Sequence, residues 1–183
     1  GKIMGKGQLT IFFLMLAPIL HTQTIYSTRE GHILIKANID GNAFKAESHQ
    51  LSMFFDYTSK EITGSIDLRT IDTNNPQLAT YLKSTQAPIW IRFSGKVPVE
   101  DFLLRPHEPI DFNWLVTIRL PNKEVQNYFK ATLTHIPQGP TFSCLLSAGG
   151  FIEKTISPSL NQVVPGLEGS IEIKFAQLIL KKE

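Results

Sequence analysis

From Ile110 to Leu120 the chain reads I-D-F-N-W-L-V-T-I-R-L. Ile110, Phe112, Trp114, Val116, Ile118 and Leu120 share one parity, and Asp111, Asn113, Thr117 and Arg119 share the other. Successive side chains of a strand point to opposite faces, so the segment predicts a long strand with one wet face and one aromatic-rich dry face. Leu115 alone breaks the pattern. The same alternation predicts strands over His32–Ile39, Glu61–Thr70, Ile89–Val97, Glu124–Ile136, Thr141–Ala148 and Ser170–Lys181. In the last of these, Ile171, Ile173, Phe175 and Ile179 are expected on the apolar face. Ala43–Tyr57 changes phase: Phe44, Ala46 and Ser48 share one parity, whereas Leu51, Met53, Phe55 and Tyr57 share the other. Such a switch predicts a β-bulge or sharp bend near Ser48–Gln50. The turn-forming I-D-T-N-N-P then leads into one helix over Pro76–Ser84, with Leu78, Tyr81 and Leu82 on one stripe. Gly149–Gly169 reads as a Gly-, Pro- and Ser-containing excursion.

About eight strands, one short helix and mostly hairpin-length connections predict an all-β domain of antiparallel neighbours. Eight strands can close into a barrel and abolish their edges. A two-sheet sandwich has a similar signature. An outer-membrane barrel would turn its apolar face to lipid. The helix, the long excursion and the charged Lys181, Lys182 and Glu183 fit that poorly.

The N-terminus departs from this pattern. Lys2 and Lys6 precede the uncharged run from Leu9 to Leu20, the form of a secretory signal peptide and too short for a comfortable membrane span. The expectation is a leader over 1–22, cut after Thr22, then one domain over 23–183 that is exported, periplasmic or secreted, with no integral membrane segment left. The chain carries 18 basic and 16 acidic side chains. Loss of the two leader lysines makes it formally neutral, which excludes the basic patch that nucleic acid demands. Cys144 is the only cysteine, so no intramolecular disulfide forms. Its alternation with Phe142 and Leu146 predicts a small buried hydrophobe.

Motifs for chemistry are absent. The five histidines (His21, His32, His49, His107 and His135) stand singly, without metal-ligand spacing. There is no phosphate-cradling glycine loop and no nucleophile elbow. His135, in phase with Phe129, Ala131 and Leu133, is expected as a hydrogen-bonded core or rim residue. Ser48 and His49 adjoin at the bend, but no third group completes a triad. These features predict neither an enzyme nor a metal or other cofactor.

One resemblance is carried by G-S-I-D-L-R-T-I-D-T-N-N (Gly64–Asn75), then Leu82, then P-I-W-I-R-F-S (Pro88–Ser94). Together these are similar to the YceI-like lipid/polyisoprenoid-binding family. Thr73 and Asn74 match its turn, Leu82 its helix leucine, and Phe93 and Ser94 its strand. The Ser-containing A-E-S-H-Q-L-S-M-F-F, Ala46–Phe55, resembles its second strand. The likeness is good over Gly31–Val97 and rests elsewhere on strand pattern. Two segments depart from it: Pro76–Ala79 replaces an expected Arg-Asp, and Trp114–Lys123 replaces a glycine-containing hairpin. The resemblance implies an eight-stranded antiparallel lipocalin-like barrel with one short helix, holding a polyisoprenoid, quinone or fatty-acyl lipid.

Two functions follow. In one, Phe55, Ile91, Phe93, Phe112, Trp114, Phe129, Phe142 and Phe175 line a dry tunnel for an apolar lipid ligand. At about 25 cal/mol per Å² of buried apolar surface, such a tunnel needs no charged contact to bind a long chain. In the other, the same side chains fill a solid core. The protein is then a non-catalytic periplasmic interaction or scaffold protein, with the 149–169 excursion as its contact site. A homodimer is open in either case.

Overall fold

The computed structural model describes residues 25–98, 107–138, 141–153 and 165–183, those at 107, 136–138, 141–143 and 177 through the backbone. The expected leader and most of the 149–169 excursion lie outside the described residues.

Nine strands carry the fold: β1 (Ile25–Ile39), β2 (Asn42–Asp56), β3 (Glu61–Asp67), β4 (Asp72–Thr73), β5 (Trp90–Lys96), β6 (His107–Arg119), β7 (Glu124–Gln138), β8 (Thr141–Glu153) and β9 (Leu167–Lys182). Eight of them form a closed antiparallel barrel in the order β1-β2-β3-β5-β6-β7-β8-β9, with β9 returning to β1. The two-residue β4 lies on β2, with Ala46 opposite Thr73. Closure leaves the barrel strands no unpaired side, and it settles for a barrel the one-sided hydrophobic pattern that a sandwich would also have satisfied. No helix among the described residues is long and apolar enough to cross a membrane.

The helix forms where the pattern places it. α1 (Pro76–Ser84) begins with Asn75 accepting from Leu78 N at 3.0 Å and with proline at its first position. A 3-10 turn, Leu68–Thr70, precedes it, capped by Asp67. Both belong to the β3–β5 connection, so they sit at the barrel end opposite the Tyr57–Lys60 turn. The β1–β2 hairpin turns on Asp40 and Gly41, both at positive φ (50° and 76°), as a tight two-residue connection between right-twisted strands requires.

Bulges explain where the alternation shifts. Ile33 pairs with Ser48 but Gly31 pairs with Leu51, so β2 carries an extra residue between Ser48 and Leu51, at the predicted bend. A compensating extra residue lies in β1 between Thr28 and Gly31, and β1 extends seven residues upstream of the expected His32. In β9 the register slips between the Leu146–Leu178 and Ala148–Phe175 pairs. The slip turns Leu178 and Leu180 inward and leaves Ile179 exposed, correcting its expected place on the apolar face. Gly149 and Gly150 do not end β8, which continues to Glu153. A Cβ on Gly150 would lie 2.8 Å from Phe129 Cδ1, so glycine here admits the neighbouring ring and opens no loop.

Candidate functional site

The inward faces of all eight barrel strands meet in one apolar cluster. Phe55, Trp114, Phe129 and Phe175 have no solvent-accessible surface, Phe93 is also buried, and Phe112 is nearly so. Ile91 is partly buried and packs on the cluster. The side chain of Phe142 lies outside the described residues. The predicted set is therefore found together inside the barrel wherever its side chains are described.

Two groups of rings fill that interior. At mid-barrel, Phe175 is the hub: its centroid lies 5.2 Å from Phe93, 5.9 Å from Phe129 and 6.0 Å from Trp114. Each fully buried side chain of this size contributes about 1.5–3 kcal/mol relative to exposure. Trp114 Nε1 is buried and finds no hydrogen-bond partner among the described residues. A buried donor left in that condition costs about 1–3 kcal/mol, which marks it as a point of unmet polarity in an otherwise apolar centre.

The second group lies where β2 ends. Tyr57 packs 4.5 Å from Phe55, 4.8 Å from Tyr26 and 5.0 Å from the His135 ring, measured between centroids. The Tyr57 hydroxyl is hydrogen-bonded to His135 Nε2. Cys144 is fully buried and pairs with His135 across β7 and β8. Burial pushes the Cys144 thiol up to about 12, and burial with the adjacent thiol raises the Tyr57 phenol well above its ordinary value. Tyr26 is raised as well, chiefly by burial. All three therefore hold their protons at neutral pH: this end of the interior is polar but uncharged in its phenols and thiol. Periodicity placed His135 and Cys144 in the interior; their contact with Tyr57 depends on strands far apart in sequence.

Ser48 and His49, adjacent in sequence, face opposite ways. Ser48 is buried, its Oγ 2.9 Å from Thr70 Oγ1 and accepting from Gln50 N, and Thr70 donates to Asp67 O at 2.7 Å. His49 lies on the outer wall, stacked on His32 with centroids 4.2 Å apart. Histidines that stand singly in the sequence are thus paired by the β1–β2 register.

No protein-family model matches the chain, and no curated protein matches it in sequence. Solved structures do share its fold. A polyisoprenoid-binding domain from Saccharophagus degradans, implicated in plant cell wall breakdown, superposes with a TM-score of 0.59 at 11% identity, over 88% of this chain and 98% of that one. The Campylobacter jejuni YCEI protein superposes with a TM-score of 0.50 at 13% identity, over 75% of this chain and 84% of that one. The architecture is that of the YceI-like barrels, as the Gly64–Ser94 resemblance implies.

Proposed function

We propose that the protein is an exported carrier that holds an apolar chain, a polyisoprenoid, quinone or fatty-acyl lipid, inside its barrel. The observation that carries this reading is the mid-barrel ring cluster around Phe175, at whose edge Trp114 Nε1 is buried beside Gly95 without a partner among the described residues. A core selected only for packing gains nothing from an indole donor placed there; an occupant with one polar atom would satisfy it. The similarity in fold to a polyisoprenoid-binding domain supports the same ligand class. A long chain would enter by displacing the rings around Phe175, and the polar end at Tyr57 and His135 would receive a headgroup. The thiol and phenols of this interior keep their protons at neutral pH, which supports binding as the activity.

A second reading has its own support. Phe55, Trp114, Phe129 and Phe175 pack so closely that they retain no accessible surface. That favours a filled barrel working through its outer wall. A groove of about 700 Å³ crosses β6–β9 over Gly149 and Gly150, flanked by Asp111, Lys130 and Phe151, and would be the working surface.

Native mass spectrometry of protein purified without detergent, followed by organic extraction, separates the two. The carrier reading expects a stoichiometric added mass that extracts as an isoprenoid or acyl compound. A clean polypeptide mass, unchanged when quinones and fatty acids are added, would overturn it in favour of the filled barrel.

A further inference from the structure

Among the described residues one group of side chains has the make-up of a metal site: His32 on β1 with Glu47 and His49 on β2. Residues two apart on a strand share a face, so Glu47 and His49 both project outward while Ser48 between them is buried. On the neighbouring strand, Ile33 opposite Ser48 and Leu34 opposite Glu47 bring His32 alongside them. The bulge that follows Ser48 sits at this point, and bulges commonly re-aim side chains beside functional sites. Gly31 lets the strands approach closely here, since a Cβ on it would lie 2.8 Å from Leu51 O.

The donor atoms are close together, and turning His49 out of its stack on His32 would bring their lone pairs toward one point. His32 Nε2 lies 3.1 Å from Glu47 Oε2, and the two imidazoles stack with planes 12° apart. One ligand atom from each of the three residues lies within 4.8 Å of the others. Tetrahedral zinc with arms of about 2.0–2.1 Å needs donors about 3.4 Å apart, so closure asks for shifts of about 1 Å. Rotation of the exposed His49 ring supplies much of that.

We infer that His32, Glu47 and His49 form an outer-wall site for a borderline divalent transition-metal ion such as Zn2+. Two imidazoles and a carboxylate suit zinc, nickel or copper, whereas calcium and magnesium demand oxygen ligands. Water completes the shell on the solvent side. The bound ion would tie β1 to β2 at their irregular register, independently of anything held in the barrel.

The test is calorimetric titration of the full chain, purified without a polyhistidine tag, with ZnCl2, and with MgCl2 as the hard-ion control. The expected result is one saturable equivalent of Zn2+ and no Mg2+ uptake. His49→Ala and Glu47→Gln should each weaken binding at least tenfold, and the His32→Ala/His49→Ala pair should abolish it, with far-ultraviolet circular dichroism confirming a folded barrel. Imidazole NMR on the unaltered protein gives a readout that needs no variant: the His32 and His49 ring signals should shift together at one equivalent. Absence of stoichiometric uptake, uptake that survives the double substitution, or shifts confined to other histidines would overturn the assignment. Loss of the metal site leaves the mass-spectrometric test of the barrel interior unaffected, so the two proposals fail separately.

Discussion

The indole of Trp114 on β6 lies directly over Gly95 on β5, covering the bare backbone of its neighbour. A Cβ at position 95 would meet both Trp114 Nε1 and the Leu115 carbonyl oxygen. Glycine in a strand interior usually weakens it; here it makes the space that the Nε1–Cδ1 edge of the largest core side chain occupies. The large aromatic and the missing side chain form one packing unit.

Gly95→Ala should therefore displace the indole. The expected cost is about 1–3 kcal/mol, the range for overpacking a filled core. Urea denaturation measures it, and in a Trp90→Phe background the native emission of Trp114 should shift at the same time. An unchanged midpoint and spectrum would mean that the ring has room elsewhere.

Tyr57→Phe removes the hydroxyl bonded to His135 and leaves a buried imidazole short of that partner. The expected loss is about 1–3 kcal/mol, larger than for an exposed tyrosine because water does not replace the bond. Equilibrium unfolding of Tyr57→Phe beside Tyr128→Phe, whose ring is exposed, provides the comparison.

Cys144 sets an alkaline limit. An unfolded thiol ionises near about pH 8.5, whereas the folded one keeps its proton up to about 12. Across that window the unfolded chain binds fewer protons, so stability falls as pH rises, by up to roughly 1.4 kcal/mol per pH unit for this group. The raised phenols of Tyr26 and Tyr57 add to the same trend above about pH 10. Cys144→Ala should flatten the slope of denaturation midpoint against pH between about pH 9 and pH 10. A thiol reagent should react with Cys144 only on unfolding.

Asp67 ties the helix-bearing connection to the barrel. Its carboxylate accepts from the backbone N–H of Arg69 and Ile89 and from the Arg69 guanidinium at 2.7 and 2.9 Å. Those bonds, the one from the Arg69 side chain foremost, hold its pKa below the ordinary carboxylate value. The stabilisation is present above the ordinary carboxylate pKa of about 3.9 and is lost as pH falls below it. Asp67→Ala should cost about 0.5–2 kcal/mol at neutral pH, as loss of a capping acceptor does, and should reduce the acid sensitivity of thermal unfolding.

Much of this fold is legible because a half-buried strand writes its faces directly into the chain. Phe112, Trp114 and Val116 are inward and Leu115 outward as alternation requires, and Pro76–Ser84 is helical where the stripe of Leu78, Tyr81 and Leu82 places it. Local rules fail where a bulge adds a residue. Ile179 is exposed because the β9 register slips before it, and the upstream half of β1 is hidden because its bulge breaks the period. Glycine misleads for a related reason: Gly150 reads as a break until Phe129 is seen against it.

The sequence by itself determined which side chains are hydrophobic at a period of two, and hence that Phe55, Phe93, Phe112, Trp114, Phe129 and Phe175 share one interior. Each of those decisions is local, fixed by the geometry of a single strand. Only the tertiary structure decided the register between neighbouring strands and the closure of β9 onto β1. That choice put Tyr57 on His135, laid Trp114 over Gly95 and stacked His32 on His49, because contacts between residues far apart in the chain are set by register and closure of the barrel, which no single segment encodes.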